Sequence, residues 1–258
     1  SAIFKYLSNV LKVILESGQF NKIIQQQKSY QWTSEWEILS DDPLKALKDK
    51  NALQRSNVLS GFIHAVNSAE SSIDLISPYF VPGKNGTTLL TDAQANGRTV
   101  SVLTNSLAAN DVVAVHGGYS KYRKPLLKGG VKLYELKPSM SAKSSNSWFG
   151  SSGASLHAKS GVFDHQNVYV GSFNLDPRSV SLNCEQGIMV KNSQLGQQML
   201  GIFNTVTQPQ YAWQVTLDKS NHLTWTDQNG IYTRDPEAKF SKRFKAFLTR
   251  ILPIESQL

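Results

Sequence analysis

The sequence lacks most of the features that would place it in a special structural class. It contains a single cysteine, Cys184, which excludes a disulfide framework within the chain. It contains no run of about 18 apolar residues, so it does not predict a transmembrane helix. The first residues lack a charged leader and a small-residue cleavage site, and they do not predict a signal peptide. Because the chain starts with Ser1 and not with methionine, we expect it to be part of a longer protein.

Acidic residues are also scarce. The chain has 19 Asp and Glu against 27 Lys and Arg, which gives a formal net charge of +8. Such a charge favours polyanionic partners, either nucleic acid or an anionic membrane surface. With 258 residues the chain is long enough to bury a core, and its length predicts one large domain or two small ones.

The hydrophobic pattern divides the chain at residue 40. Residues 1–40 predict an amphipathic helix over residues 3–15, followed by a Gln-rich linker. Residues 41–258 predict a domain in which strand and helix patterns alternate, for example SSIDLISPYF, TTLLTDAQANG and TVSVLTN. This alternation indicates an α/β fold with a mixed, largely parallel central sheet flanked by helices.

Two segments of this domain deserve separate hypotheses. Residues 139–155 are rich in Ser and Gly, and we expect them to form a mobile loop at the rim of a site. Residues 239–258 place phenylalanines along one face of a helix, with Lys and Arg beside them. This pattern fits a helix that lies on a membrane surface and a helix that packs on the core equally well.

The segment LHAKSGVFDHQNVYVGSFNLDPRS, residues 156–179, carries the chemistry. Strand periodicity puts His157 and Lys159 on one face, and Gly171 lets the chain bend so that Ser172 and Asn174 lie near them. These groups are suited to a phosphate whose oxygens are held by Lys159 and Asn174. His157 is placed either to attack phosphorus or to protonate the leaving oxygen. No metal and no organic cofactor is expected, because a cation site needs carboxylates or several His and Cys ligands.

The spacing of these residues resembles the His-Lys-Asp motif of the phospholipase D superfamily. The matching residues are His157, Lys159, Asp164, Gly171, Ser172 and Asn174. The flanking segments SPYFVPG, SFNLDPRS, LNCEQG and LPIESQL are similar to those in the carboxy-terminal half of bacterial cardiolipin synthases of the C type. The resemblance covers roughly residues 35–258.

The resemblance implies roles for individual residues. In this superfamily two such motifs form one site, where one histidine becomes a phosphohistidine and the other acts as general acid and then base. Lys159 and Asn174 would bind phosphate, Ser172 would line the site, and Asp164 would be structural. Glu185 would hydrogen-bond the catalytic imidazole and fix its tautomer.

Tyr79, in the SPYFVPG segment, is a second residue to which the resemblance gives a role. It would contribute to the wall of the substrate site. Ordinary packing at the end of a strand explains Tyr79 equally well, and the two interpretations stay open.

The sequence departs from the family pattern in having a single motif. None of the other histidines is followed two residues later by lysine: His64, His116, His165 and His222. Two arrangements remain open. The chain is the carboxy-terminal half of a two-motif protein, in which His157 serves as the general acid, or two copies pair as a homodimer and share a site.

Three functions follow as hypotheses. The first is the second half of a bacterial phosphatidyltransferase that makes cardiolipin or a related phospholipid and associates peripherally with a membrane. The second is a homodimeric phosphodiesterase or endonuclease acting on nucleic acid. The third is a half-domain that binds anionic lipid or another phosphodiester without turnover.

Overall fold

A computed structural model describes residues 33–47, 56–138 and 156–252. Within these residues the β-strands are β1 (Trp36–Ser40), β2 (Ser72–Ile76), β3 (Thr99–Asn105), β4 (Lys132–Leu136), β5 (Ser160–Phe163), β6 (Asn167–Gly171), β7 (Gln186–Lys191), β8 (Ala212–Leu217), β9 (Leu223–Asp227) and β10 (Gly230–Tyr232). The α-helices are α1 (Asn57–Ser68), α2 (Gly83–Ala95), α3 (Val113–Ser120), α4 (Arg123–Lys128), α5 (Pro177–Ser181), α6 (Ser193–Val206) and α7 (Phe240–Ile251).

Several helices begin at side chains that cap them. Ser56 accepts a hydrogen bond from the Leu59 amide at the start of α1, and Asn192 accepts one from the Leu195 amide at the start of α6. Asp176 caps α5 in the same way and is followed by proline at the first helical position. These residues satisfy amides that have no partner inside the helix, and they fix where each helix starts.

The strands form one mixed sheet in the order β1-β7-β6-β5-β2-β3-β4-β8-β9-β10. The α/β class and the mixed sheet are therefore as predicted. The expectation that the sheet is largely parallel is corrected, because parallel pairing is confined to β2, β3 and β4. The other seven strand pairings are antiparallel. Short turns, such as the one between β5 and β6, leave antiparallel pairing as the available arrangement.

The predicted domain boundary at residue 40 also moves. Strand β1 pairs with β7 and is part of the sheet, so the domain includes residues 36–40. A compact unit begins at Glu35. The amphipathic helix predicted over residues 3–15 and the loop predicted over residues 139–155 lie outside the described residues.

The central strands are buried on both faces. All five residues of β2 are buried, with Ile73 and Leu75 packed in the core that contains α1 and α2. Ile76 and Leu103 belong to a second core with Phe203 of α6. Alternate residues of a strand point to opposite faces, so the helices cover both sides of the sheet.

A buried ion cluster joins the α3–α4 region to the chain that precedes α7. The Arg123 guanidinium contacts the carboxylates of Glu135 at 2.8 Å and Asp235 at 2.7 Å. The indole N–H of Trp225 donates to the second carboxylate oxygen of Glu135 at 2.9 Å. The Arg123 guanidinium also lies over the Trp225 ring. Burial raises the pKa of Asp235, but the charges and hydrogen bonds of Arg123 and His116 together have the larger effect and hold that pKa below its ordinary value. The cluster is compensated, and removal of one partner would leave a buried charge unpaired.

Asp164 links the turn after β5 to the start of β2. Its carboxylate accepts hydrogen bonds from the amides of Glu70, Ser71 and Ser72 and from the Ser71 hydroxyl, at 2.7–3.1 Å. Partial burial raises the pKa of Asp164, but these hydrogen bonds have the larger combined effect and the pKa is lowered. The ionised carboxylate therefore stabilises the folded state.

We expect Asp164→Asn to lower the free energy of unfolding by about 1–3 kcal/mol at pH 7, because several charge-assisted hydrogen bonds are lost. A depressed pKa stabilises the fold above the unfolded-state pKa of about 3.9, so the difference from wild type should shrink as the pH falls below that value. Urea unfolding followed by tryptophan fluorescence measures both effects. Asp92→Asn, at an exposed position on α2, is the control. An unchanged midpoint for Asp164→Asn would contradict the assignment.

Candidate active site

The motif residues meet at one edge of the sheet because β5 runs antiparallel to β2. In this register Ile76 at the end of β2 is opposite Ser160 at the start of β5. Ser160 pairs with Val170 of β6, and Gly171 pairs with Gly187 at the start of β7. The chain before β5, after β6 and before β7 therefore leaves the sheet at the same edge. These three segments carry His157 and Lys159, Ser172 and Asn174, and Glu185.

His157 and Lys159 precede β5, whereas the sequence analysis placed them on the strand. The strand starts at Ser160, although the Gly171 amide still donates to the Lys159 carbonyl at 3.2 Å. His157 is exposed and Lys159 is half-buried. The Lys159 ammonium donates to the His157 carbonyl at 3.0 Å. An exposed imidazole beside a tethered ammonium is accessible to a ligand from solvent.

Partial burial lowers the pKa of Lys159 from its ordinary value. The nearby carboxylates of Glu185 and Asp176 oppose this effect, since negative charge favours the ammonium form. Both carboxylates thus lie close enough to Lys159, the one lysine of the motif, to affect its pKa. A bound phosphate would add further negative charge close to Lys159.

Glu185 organises two serines. Its carboxylate accepts hydrogen bonds from the Ser172 hydroxyl and, at 2.8 Å, from the Ser179 hydroxyl. The sequence analysis expected Glu185 to hydrogen-bond the catalytic imidazole. Among the described residues, the two hydrogen bonds that its carboxylate accepts come from these serines. Glu185 precedes β7, and its buried side chain packs between the end of β6 and α5.

Asn174 is buried beside this cluster. The Ser179 hydroxyl accepts a hydrogen bond from its backbone amide at 3.3 Å, and the Ser77 hydroxyl accepts one from the Leu175 amide at 3.2 Å. Within the described residues, the side-chain oxygen of Asn174 is buried and has no hydrogen-bond partner. A buried polar atom without a partner is costly, and a bound ligand or water would satisfy it.

Gly171 is required for close packing between β6 and β7. A Cβ atom at this position would meet the Gln186 carbonyl oxygen at 2.5 Å and the Gly187 Cα at 2.7 Å. The backbone of Gly171 is not in the left-handed region, so its value lies in this close approach and not in a special bend. The approach brings Ser172 within reach of Glu185.

Tyr79 lies just after β2, at the same edge of the sheet. Its hydroxyl donates to the Asp111 carboxylate at 2.9 Å, and its ring packs against the main core. Burial, the hydrogen bond to Asp111 and the charge of Asp176 raise the pKa of Tyr79 to about 12. The phenol therefore stays protonated at neutral pH and is a hydrogen-bonding group at this edge of the sheet.

The sequence analysis missed three polar residues of this region: Asp111, Asp176 and Ser179. Burial raises the pKa of Asp176, whose carboxylate accepts the Ser179 amide at 2.7 Å. The sequence does contain a signal for Asp176 and Ser179, since Asp-Pro-x-Ser is a typical start of a helix. No sequence signal connects Asp111 to Tyr79, because the two are brought together by the parallel pairing of β2 and β3.

A cavity of about 610 Å³ is lined in part by Phe173 and Leu175, the two neighbours of Asn174 in the chain. Its lining comes from α1, residues 80–82, α2 and residues 173–180, and it includes Phe62, Phe80, Leu89, Phe173 and Leu175. This lining suits apolar groups and not a phosphate.

The described residues contain no group of three or more His, Cys, Asp or Glu side chains placed to hold a metal ion. Within the same residues, no helix combines the length and the apolar character that crossing a bilayer requires. The chemistry available at this edge is that of an imidazole, an ammonium, an amide and hydroxyl groups, which together can bind a phosphodiester and transfer protons.

Comparisons with known proteins agree with this chemistry. The family model described as "Cardiolipin synthase, PLD-like domain" matches residues 62–207. The chain is 41% identical over 227 residues to cardiolipin synthase C of Escherichia coli (strain K12), covering 84% of this chain and 47% of that protein. It is 29% identical over 138 residues to cardiolipin synthase A of Pseudomonas syringae pv. syringae, covering 54% and 25%.

A solved structure supports the fold. The crystal structure of phosphatidylserine synthase from Haemophilus influenzae Rd KW20 matches with a TM-score of 0.54 and 14% identity, covering 84% of this chain and 48% of that one. At this identity the match concerns the fold alone. The chain spans about half the length, or less, of the relatives named here.

We expect Asp111→Asn to lower the pKa of Tyr79 from about 12, because the substitution removes the carboxylate that accepts the phenolic hydrogen bond. Titration of ¹³C-labelled tyrosines by NMR measures the pKa, and Tyr79→Phe identifies the signal. Asp92→Asn should leave the value unchanged. A Tyr79 pKa that is the same in Asp111→Asn as in wild type would rule out this contact in solution.

Proposed function

The chain belongs to the cardiolipin synthase family of phospholipase D-like proteins, and on that premise we propose that it supplies one half of a phosphatidyltransferase site that makes cardiolipin or a related phospholipid. The observation that supports the proposal is that the segments carrying His157, Lys159 and Asn174 leave the sheet at the same edge. These three side chains match the residues with which the family binds and transfers a phosphoryl group.

The reaction that we propose is phosphodiester exchange at phosphorus. A histidine nitrogen attacks the phosphorus, a nitrogen–phosphorus bond forms, and the bond to the leaving alkoxide breaks. A second histidine protonates that alkoxide, then removes a proton from the incoming alcohol, which displaces the first histidine. Lys159 and Asn174 hold the equatorial oxygens, where negative charge develops.

One histidine cannot perform both roles, so the site needs a second motif. We propose that it comes from an amino-terminal half-domain of a longer protein, in which His157 is the general acid and base. The 47% coverage of the E. coli relative supports this arrangement, because that relative has room for a second domain of similar size. A homodimer that shares two copies of His157 is the alternative arrangement.

Glu185 acts in this proposal as a positioning residue. Its carboxylate accepts hydrogen bonds from the hydroxyls of Ser172 and Ser179. The Ser179 hydroxyl in turn accepts a hydrogen bond from the backbone amide of Asn174. Loss of the Glu185 carboxylate would release the segment that carries the phosphate-binding side chain of Asn174. In this proposal Ser172 lines the site and is held there by its hydrogen bond to Glu185. Tyr79 forms part of the rim of the site and is held by its hydrogen bond to Asp111.

We propose that the substrate is an anionic phospholipid reached at a bacterial membrane surface, with which the protein associates peripherally. The net charge of +8 supports an anionic partner. The histidine mechanism uses no metal and no organic cofactor. The same charge supports nucleic acid as a second candidate substrate, in which case a homodimer would hydrolyse DNA or RNA.

We expect His157→Ala to reduce transfer by at least about 100-fold, because the loss of a general acid, general base or nucleophile has effects of that size. Vesicles of phosphatidylglycerol and phosphatidylethanolamine serve as substrate, and thin-layer chromatography detects lipid products. The assay uses this chain and the longer protein that we propose to contain it. His64→Ala, at an exposed histidine of α1, is the matched control.

Light-scattering mass and plasmid cleavage, measured on the same samples, separate the alternatives. An inactive monomeric chain and an active longer protein would support the two-domain arrangement. A dimer that nicks plasmid and loses this activity in His157→Ala would favour the nuclease. Lipid turnover that survives His157→Ala would contradict the proposed site.

A further inference from the structure

Helix α7 packs on the protein through its small residues. Ala246 is buried, and a Cβ atom at Gly117 of α3 would meet the Ala246 carbonyl oxygen at 2.9 Å. Thr249 lies one turn further along the helix and contacts the same glycine. The two helices approach closely because this contact contains no large side chain.

The opposite face of α7 is apolar and exposed. Successive residues of an α-helix turn by about 100°, which places a stripe of large side chains roughly opposite Ala246 and Thr249. These side chains and their exposed fractions are Phe240 80%, Phe244 52%, Phe247 56%, Leu248 44% and Ile251 65%. A continuous exposed stripe of this kind marks an interaction surface in soluble proteins. Of the two alternatives that the sequence left open, packing of this stripe on the core is therefore wrong.

Polar anchors hold α7 in this orientation. The Lys242 ammonium donates to the Ala108 carbonyl at 2.9 Å, and the Arg243 guanidinium donates to the Asp235 carbonyl at 2.7 Å. Asp235 is itself bound by the buried Arg123. The apolar stripe is thus presented by a fixed helix and not by a fraying end.

Cations border the stripe on both sides. Lys239, Lys245 and Arg250 are exposed, and α7 contains no acidic residue. On the helical projection Lys245 lies on one side of the stripe, and Arg250 and Lys239 lie on the other. An apolar stripe between cations is the pattern of a helix that lies in the headgroup region of an anionic bilayer. A symmetric contact between two copies of α7 would instead bring like charges together.

The helix lies near the candidate active site. Two residues of the segment that follows β3 accept hydrogen bonds: the Ala108 carbonyl from Lys242 and the Asp111 carboxylate from Tyr79. Leu107 of the same segment packs against Ala246. A surface that α7 contacts would therefore be close to the edge of the sheet where the motif residues lie.

We propose that the exposed stripe of α7 inserts into an anionic phospholipid bilayer and brings the active site to its substrate. This inference rests on the proposed function for its choice of partner. The phenylalanines would enter the boundary between headgroups and acyl chains, while Lys239, Lys245 and Arg250 contact lipid phosphates.

Vesicle co-sedimentation tests the proposal with the 258-residue chain. Vesicles of equal parts phosphatidylglycerol and phosphatidylcholine should bind the wild-type chain, and pure phosphatidylcholine vesicles should bind it at least about tenfold more weakly. The double variant Phe244→Ser/Phe247→Ser should lose binding by more than about tenfold, because it removes two aromatic groups that the bilayer would bury. Ile38→Ser, at an exposed apolar residue of β1, should bind as wild type does. Thermal melting monitored by circular dichroism verifies that each variant is folded.

A fluorescent label measures insertion directly. In a Cys184→Ser background, Phe247→Cys carries an environment-sensitive dye, and Ile38→Cys carries the same dye as control. Addition of anionic vesicles should shift the emission of the dye at position 247 to the blue and leave that at position 38 unchanged. A signal that does not change at position 247 would overturn the proposal.

Four outcomes distinguish the occupants of this face and the two proposals. Vesicle binding by Phe244→Ser/Phe247→Ser equal to wild type overturns insertion by α7. A dimer in light scattering that this variant converts to monomer, with no binding to vesicles, overturns it in favour of a second copy. His157→Ala should bind vesicles normally, so loss of lipid turnover with intact binding would concern catalysis alone. Conversely, turnover of a soluble phosphodiester without any vesicle binding would reject the α7 inference and leave the proposed function standing.

Discussion

The pairing of β2 with β5 determines where the motif residues meet. Because β5 is antiparallel, its amino end lies beside the carboxyl end of β2, and His157 enters the same edge of the sheet as Tyr79. A parallel β5 would place its amino end at the opposite edge, roughly 13 Å away for a four-residue strand. Asp164 stabilises this arrangement from the other end of the strand by accepting hydrogen bonds from three amides at the start of β2. A residue far from the imidazole thus determines its position.

The charges behind the site are organised in two layers. Glu185 and Asp176 lie next to Lys159 and favour its ammonium form, while burial opposes it. Behind them, the buried Lys45 binds the Asp41 carboxylate and the Ser179 carbonyl, and Asp41 also accepts the Glu185 amide. The second layer neutralises buried charge without using Lys159. In the proposed function, the half-buried ammonium is then left to bind the substrate anion.

The sequence predicted which segments meet at this edge of the sheet better than it predicted their hydrogen bonds. The spacing of His157, Lys159 and Asn174 was sufficient to predict that their segments lie at one edge of the sheet, because short hairpins bring nearby segments together. Strand direction was not encoded in hydrophobic alternation, so the sheet was expected to be more parallel than it is. The hydrogen bond between Glu185 and Ser179 depends on the position of α5, and the Asp-Pro pair at residues 176 and 177 predicts where that helix starts. For α7, periodicity gave an apolar stripe, yet the docking contact is made by Ala246 with a glycine about 130 positions earlier.

The segment between β3 and α3 acts as a spacer of fixed length. Through Asp111 and Ala108 it contacts both Tyr79 at the rim and Lys242 of α7. If α7 rests in a bilayer, this rigid link sets one height of the reactive edge above the lipid phosphates. The depth of the phosphodiester in the bilayer would then select substrates before any contact with the headgroup distinguishes them by shape.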